Sequence, residues 1–192
     1  FIADKRVIVP RSPISELLSE QLTPWVIDPE NTADILDMCT GSGCLAILAA
    51  LAFPNATIDA VDISDYAIRL ANVNVAMYGL EHQINVIQSD LFEALSHKQY
   101  DFIICNPPYV NSTSMKALPI EYQNEPELAL IRRILKLSPC HLKDDGFIVL
   151  EIGHEYENFI NAFPTLDPVF LETATTSHCI LLLNRSQLLT LE

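Results

Sequence analysis

Apolar runs of strand length alternate with helical stretches along most of this chain, and that alternation restricts what it can fold into. Asp34 to Cys39 reads as a buried strand and Gly43 to Phe53 as a helix. Thr57 to Asp62 is the next strand. A helix follows from Ser64 to Tyr78 and stops at Gly79, with Ser64 and Asp65 as candidate caps. Strands are expected again at Ile84 to Ser89 and Tyr100 to Cys105, and a helix at Ile131 to His141. Asp145-Gly146 is a turn into a strand from Phe147 to Ile152, and Glu155 to Phe163 is helical. The chain ends on two strands, Val169 to Thr173 and Cys179 to Asn184, with no helix between them. The expected fold is α/β: a mostly parallel seven-stranded sheet with an antiparallel edge strand and helices on both faces.

Residues before Asn31 form a lead-in, 1–30, in which Arg6 to Val9 is strand-like and Ser12 to Val26 helical. Residues 31–192 form one domain, and 192 residues suffice for a full hydrophobic core. The chain starts at Phe1 as if cut from something longer. At Leu130-Ile131 an acidic loop runs into a helix with no turn or cap residue, as if a loop were missing there.

No apolar run approaches the roughly 18 residues that span a bilayer, and there is no signal peptide pattern, so a cytoplasmic location is expected. Five cysteines include no Cys-x-x-Cys pair, which fits reduced thiols, and all five sit in apolar surroundings that suggest burial. The five histidines are scattered without ligand spacing, so no metal is expected, and Glu151 and Glu155 read as solvated carboxylates. A net charge of −14 is the unusual quantity. Such a surface repels phosphate backbones and favours basic partners.

Four constellations carry chemistry. The run Asp37-Met38-Cys39-Thr40-Gly41-Ser42-Gly43-Cys44-Leu45 follows a strand and opens a helix. Glycines at such a turn let a ligand approach the backbone, and the helix start offers unpaired N–H groups. A dinucleotide site would want a third glycine where Ala46 stands, which argues against a pyrophosphate ligand and towards a nucleoside with an amino-acid tail. A tight turn alone is the structural alternative. Asp62 ends the next strand, 19 positions after Gly43. That spacing suits a carboxylate accepting both ribose hydroxyls, against the alternative of a helix cap. Ser89-Asp90-Leu91-Phe92 ends the third strand, where Asp90 could accept from an adenine amino group with Leu91 against the ring.

The most specific signal is Asn106-Pro107-Pro108-Tyr109 after the fourth strand. Two prolines end the strand and remove two donors. The Asn106 amide oxygen and the Pro107 carbonyl can then accept both hydrogens of one NH2 group, while Tyr109 supplies a flat wall. An amide nitrogen delocalises its lone pair and is a poor nucleophile. Two acceptors on its hydrogens raise electron density and orient it towards a methyl donor.

Together these residues resemble the class I methyltransferases, whose Rossmann-like fold binds S-adenosylmethionine and yields S-adenosylhomocysteine. Within them the chain resembles the protein glutamine methyltransferases. Val9-Pro10-Arg11-Ser12-Pro13-Ile14-Ser15-Glu16 and Glu121-Tyr122-Gln123-Asn124-Glu125-Pro126-Glu127-Leu128-Ala129-Leu130 match that family too, so the likeness covers nearly the whole chain. Ser12 to Ser15, Cys39 and the Leu118-Pro119-x-Glu121-Tyr122 run resemble the branch that modifies a glutamine of large-subunit ribosomal protein three. The sister branch acts on release factors. The resemblance implies that Thr40, Gly41, Gly43, Asp62, Leu91 and Asn106 contact the cofactor, and Asp37, Ser42 and Asp90 are expected to be cofactor-binding with them. It implies that Asn106 to Tyr109 hold the glutamine, with Asn106, Pro107 and Tyr109 serving catalysis. Members carry an N-terminal helical recognition domain, absent here, and a Gly/Asp-containing stretch after the position of Leu130. Adenine-N6 DNA methyltransferases share the Asn-Pro-Pro-Tyr logic, but they need a basic groove that a charge of −14 opposes. A non-catalytic cofactor-binding module is disfavoured by the intact Asn-Pro-Pro-Tyr.

Overall fold

The computed structural model describes Ile2, residues 12–108 and residues 126–191. The strand-like Arg6 to Val9, the Tyr109 wall and the Leu118 to Glu125 run lie outside the described residues. One seven-stranded sheet organises the chain, in the order β3-β2-β1-β4-β5-β7-β6. Its strands are β1 (Asp34–Met38), β2 (Thr57–Asp62), β3 (Ile84–Gln88), β4 (Tyr100–Cys105), β5 (Leu142–Glu151), β6 (Val169–Leu171) and β7 (Ile180–Asn184). The first five run parallel, and β7 is antiparallel to both β5 and β6. The antiparallel strand thus sits one place in from the edge, with short β6 outside it. Near-continuous apolar runs such as Ile180 to Leu183 are what a sheet covered on both faces requires.

The helices are α1 (Ile14–Ser19), α2 (Cys44–Ala52), α3 (Asp65–Tyr78), α4 (Pro126–Leu137), α5 (Tyr156–Ala162) and α6 (Arg185–Leu188). Ser64 caps α3 by accepting from the Ala67 N–H at 3.3 Å, and Gly79 ends it in the left-handed conformation at φ 67°. Two apolar clusters flank the sheet. One includes Leu36, Ile103, Leu135 and Phe159, and the other Ile35, Ala46, Phe53 and Phe102.

Several expectations are corrected. The helix expected over Ser12 to Val26 covers only Ile14–Ser19. Gln21 and Leu22 adopt positive φ, and Pro24 lacks a helical donor and disfavours helix at the residue before it. The short α1 still buries Ile14 and Leu18 completely, worth about 1.5–3 kcal/mol each, and so the lead-in shares the core of the rest. In α4, Leu128, Ala129, Ile131, Ile134 and Leu135 present one apolar face to the core. That helix ends at Leu137, and Ser138–His141 forms a tighter turn containing Pro139. Asp145-Gly146 does not precede β5 but lies inside it, within an irregularity of its pairing with β4. A Cβ on Gly146 would stand 2.9 Å from the Lys143 carbonyl, so only glycine fits. Of the cysteines only Cys105 is buried. Cys39, Cys44 and Cys179 are half-buried and Cys140 is exposed, because it falls on the outer side of the turn after α4. Glu151 is buried rather than solvated, and its carboxylate accepts from the Ser12 hydroxyl at 2.5 Å.

Candidate active site

The order of the strands reverses between β1 and β4, and in open parallel sheets a ligand crevice forms at that point, beyond the carboxyl ends. Met38 pairs with Cys105 across this junction, so the turn that follows β1 and the Asn106-Pro107-Pro108 segment that follows β4 start side by side.

The turn has a left-handed backbone at Cys39, Gly41 and Gly43. Its two glycines answer different demands. A Cβ on Gly43 would lie 3.2 Å from the Ala71 Cβ of α3, so glycine there permits close packing. Around Gly41 the nearest atom to such a Cβ is the Cys39 carbonyl at 4.0 Å. Gly41 therefore faces open space, and its φ of 57° is the condition for presenting bare backbone to it.

Asp62 holds the turn from β2. One carboxylate oxygen accepts the Gly41 N–H at 2.9 Å and the other accepts the Ser64 N–H at 2.9 Å. The helix-cap reading of Asp62 thus applies in part, since it organises the start of α3 as well as the turn. A carboxylate has about four acceptor positions, so roughly two remain for hydroxyl groups.

Asp37 lies beneath the turn, fully buried. It accepts from the Thr40 hydroxyl at 2.5 Å and the Ala46 N–H at 2.9 Å, while its second oxygen has no hydrogen-bond partner among the described residues. Burial pushes its pKa up to about 7, with the nearby Asp62 charge adding to the rise. The sign of the linkage follows. From about pH 4 to pH 7 the folded chain holds this proton and the unfolded chain does not, so the stability it contributes falls as pH rises through that window. Denaturant melts at about pH 5 and pH 8 should show Asp37→Asn gaining on wild type as pH rises, by up to about 1.4 kcal/mol per pH unit within the window. A difference between the two proteins that ignores pH would refute the raised Asp37.

Two cavities meet at the turn, sharing Cys39 and Gly41 as a common wall. The first, about 330 Å³, is bounded by Asp62, Ile63, Asp90, Leu91, Leu130 and Pro108. Apolar walls with a carboxylate at the rim suit a flat ring joined to a hydroxyl-bearing sugar. Asp90 at this cavity is also engaged by Arg133 of α4, which donates to both its oxygens at 3.1 Å. That ion pair escaped the sequence reading. Its signal was Arg132-Arg133, a pair of cations in a strongly acidic chain. The second cavity, also about 330 Å³, is bounded by Ser12, Ser15, Thr40, Ser42, Cys44 and Asn106. Pro107 is buried and Pro108 exposed. The Asn106 side-chain oxygen is buried and has no hydrogen-bond partner among the described residues. An unmet buried acceptor costs about 1–3 kcal/mol, so its presence needs an explanation beyond folding. Of the sequence-derived site residues, Thr40, Gly41, Ser42, Asp62, Asp90, Leu91, Asn106 and Pro108 border the cavities, whereas Asp37 and Gly43 support the turn from below and behind.

A glycine turn after β1, a carboxylate ending β2 and this strand order define the class I methyltransferase fold. The chain belongs to the methyltransferase small domain family, whose model matches residues 14–176. Over 98% of its length it is 58% identical to the ribosomal protein uL3 glutamine methyltransferase of Bordetella pertussis, and it covers 66% of that relative. Among solved structures, a methyltransferase from Pyrococcus furiosus superposes with a TM-score of 0.70 at 15% identity, covering 96% of this chain and 88% of the other. The N-terminal domain of human METTL16 in complex with SAH superposes at 0.62 and 17% identity, over 95% of this chain and 73% of its own. Likenesses at such low identity concern the fold alone.

Proposed function

We propose that this chain carries the catalytic part of an enzyme that moves a methyl group from S-adenosylmethionine to the side-chain amide nitrogen of a glutamine in a large-subunit ribosomal protein. The observation that carries this reading is the buried oxygen of Asn106, which has no hydrogen-bond partner among the described residues and belongs to the wall of the second cavity. An acceptor of this kind is completed by a substrate NH2. Relatives named for uL3 glutamine methylation support the choice of glutamine and of the ribosomal protein.

The residues present fit the cofactor. Gly41 leaves open space beside the backbone, and Asp62 keeps acceptor positions for ribose hydroxyls. Ile63, Leu91 and Leu130 form an apolar slot for adenine, closed by the Asp90–Arg133 pair. Thr40 and Ser42 line the adjoining cavity, where an amino-acid tail would lie. When bound, S-adenosylmethionine supplies an electrophilic methyl on a sulfonium. Asn106 and the Pro107 carbonyl hold the two amide hydrogens, which orients the nitrogen and raises its electron density without a charged base. Pro107 fixes the backbone that follows Asn106. Tyr109 is assigned the substrate's flat wall. Ser12 and Ser15, from the lead-in 1–30, line the second cavity together with residues of the proposed catalytic domain 31–192. The partner is a basic protein rather than nucleic acid or membrane, attracted by a charge of −14 in the cytoplasm.

The full-length protein should transfer label from the cofactor to the purified ribosomal protein, with the encounter slowing as salt rises. A peptide-chain release factor and duplex DNA, offered separately, should stay unlabelled. Label on the release factor alone would move the enzyme to the sister substrate and leave the amide clamp standing. Label on DNA alone would overturn the substrate assignment.

A further inference from the structure

A fully buried amide joins the glycine turn to a distant part of the chain. Asn74 lies on α3 with no exposed surface. Its nitrogen donates to the Ser42 carbonyl at 2.9 Å and to the Ile2 carbonyl at 3.0 Å, and its oxygen accepts the Ile2 N–H at 2.7 Å. Reversing the amide would set its oxygen against two carbonyls, so the bonds dictate its orientation. The Ser42–Gly43 peptide is thereby held at both ends, since the Gly43 N–H donates to the Thr40 carbonyl at 3.0 Å. Glycines at 41 and 43 make this stretch of backbone soft, and a soft peptide needs an outside restraint to hold one orientation. Ala71, one turn before Asn74, supplies the steric half of that restraint against Gly43. Packing alone would be served by an alanine or leucine at position 74. A buried amide there costs free energy unless every bond is made, and Ile2 makes two of the three.

We propose that Asn74 is a positioning residue for the cofactor turn, and that the backbone at Ile2 locks it, so that docking of Ile2 on α3 sets cofactor affinity. This rests on the reading of the glycine turn as the seat of S-adenosylmethionine. Neither Asn74 nor Ile2 borders either cavity, so both act through Ser42.

Ile2→Pro removes the N–H that Asn74 accepts, whereas Ile2→Ala keeps it and trims only the half-exposed side chain. Calorimetry with S-adenosylmethionine should show about fivefold weaker binding for Ile2→Pro, as loss of one buried hydrogen bond implies, and a change under about twofold for Ile2→Ala. Asn74→Asp, which can no longer donate to Ser42, should weaken binding by roughly tenfold or more. At saturating cofactor its kcat should stay within about threefold of wild type, because Asn106 is untouched. Hydrogen exchange at residues 40–44 of the ligand-free protein should accelerate in Ile2→Pro and Asn74→Asp but not in Ile2→Ala. A merely structural role would lower the melting temperature without selective exchange at the turn. Should Asn74→Asp fail to fold, Ile2→Pro against Ile2→Ala decides alone. Matching exchange and affinity in that pair overturns the proposal, as does a folded Asn74→Asp that binds like wild type. If wild type takes no S-adenosylmethionine, the reading of the site fails, and the exchange measurement still decides what Asn74 does.

Discussion

Asn106→Ala is expected to lower turnover by roughly a hundredfold or more, the usual effect of deleting an oriented electrostatic group from an active site. The structure sharpens the expectation. The amide oxygen is buried and bonds to nothing among the described residues, so its removal deletes a cost rather than a support. The variant should therefore melt at or above the wild-type temperature while losing activity. An ordinary core position would lose both together. Single-turnover kinetics with saturating cofactor separates the step itself from binding. Near wild-type turnover would show that the amide clamp is not how the nitrogen is activated. A loss of activity that merely follows a loss of folded protein would show that Asn106 serves the fold.

The second large effect is expected for Asp62→Ala, as weaker cofactor binding. Two hydrogen bonds from hydroxyls to a charged acceptor imply about 2–4 kcal/mol, or roughly 30- to 1000-fold in Kd. Asp62 also holds the Gly41 and Ser64 N–H groups, so the substitution loosens the turn as well as removing the ribose contact. An analogue lacking the ribose hydroxyls divides the two contributions. If Asp62 binds the sugar, the variant should lose much less affinity for that analogue than for S-adenosylmethionine. Equal losses for both would assign Asp62 to the turn alone, and unchanged calorimetric affinity would remove it from the site.

The relation between Asp62 and Asn74 shows how the site is built. A carboxylate in the cavity wall and a remote buried amide restrain the same short turn. The first is within reach of a sequence pattern because it stands at a set distance from the glycines along the chain. The second is out of reach because its partners, Ser42 and Ile2, are 32 and 72 positions away.

The sequence by itself determined the strands and most helices, since a buried parallel strand must be continuously apolar and a helix must show its period and caps. Thr57–Asp62 and Tyr100–Cys105 are read to the residue, and Ser64 and Gly79 frame α3 as their chemistry requires. It also determined that the glycine turn, Asp62 and Asn106-Pro107-Pro108 reach one edge of the sheet, because each falls at the carboxyl end of a strand. Only the tertiary structure decided how Asp90 is engaged, that Glu151 is buried against Ser12, that α1 is short, and that Asp37 supports the turn from below. Each of these depends on which side chain meets which across long stretches of chain. Periodicity and spacing report a residue's own element and face, while the partner that neutralises a charge or satisfies an amide is chosen by packing.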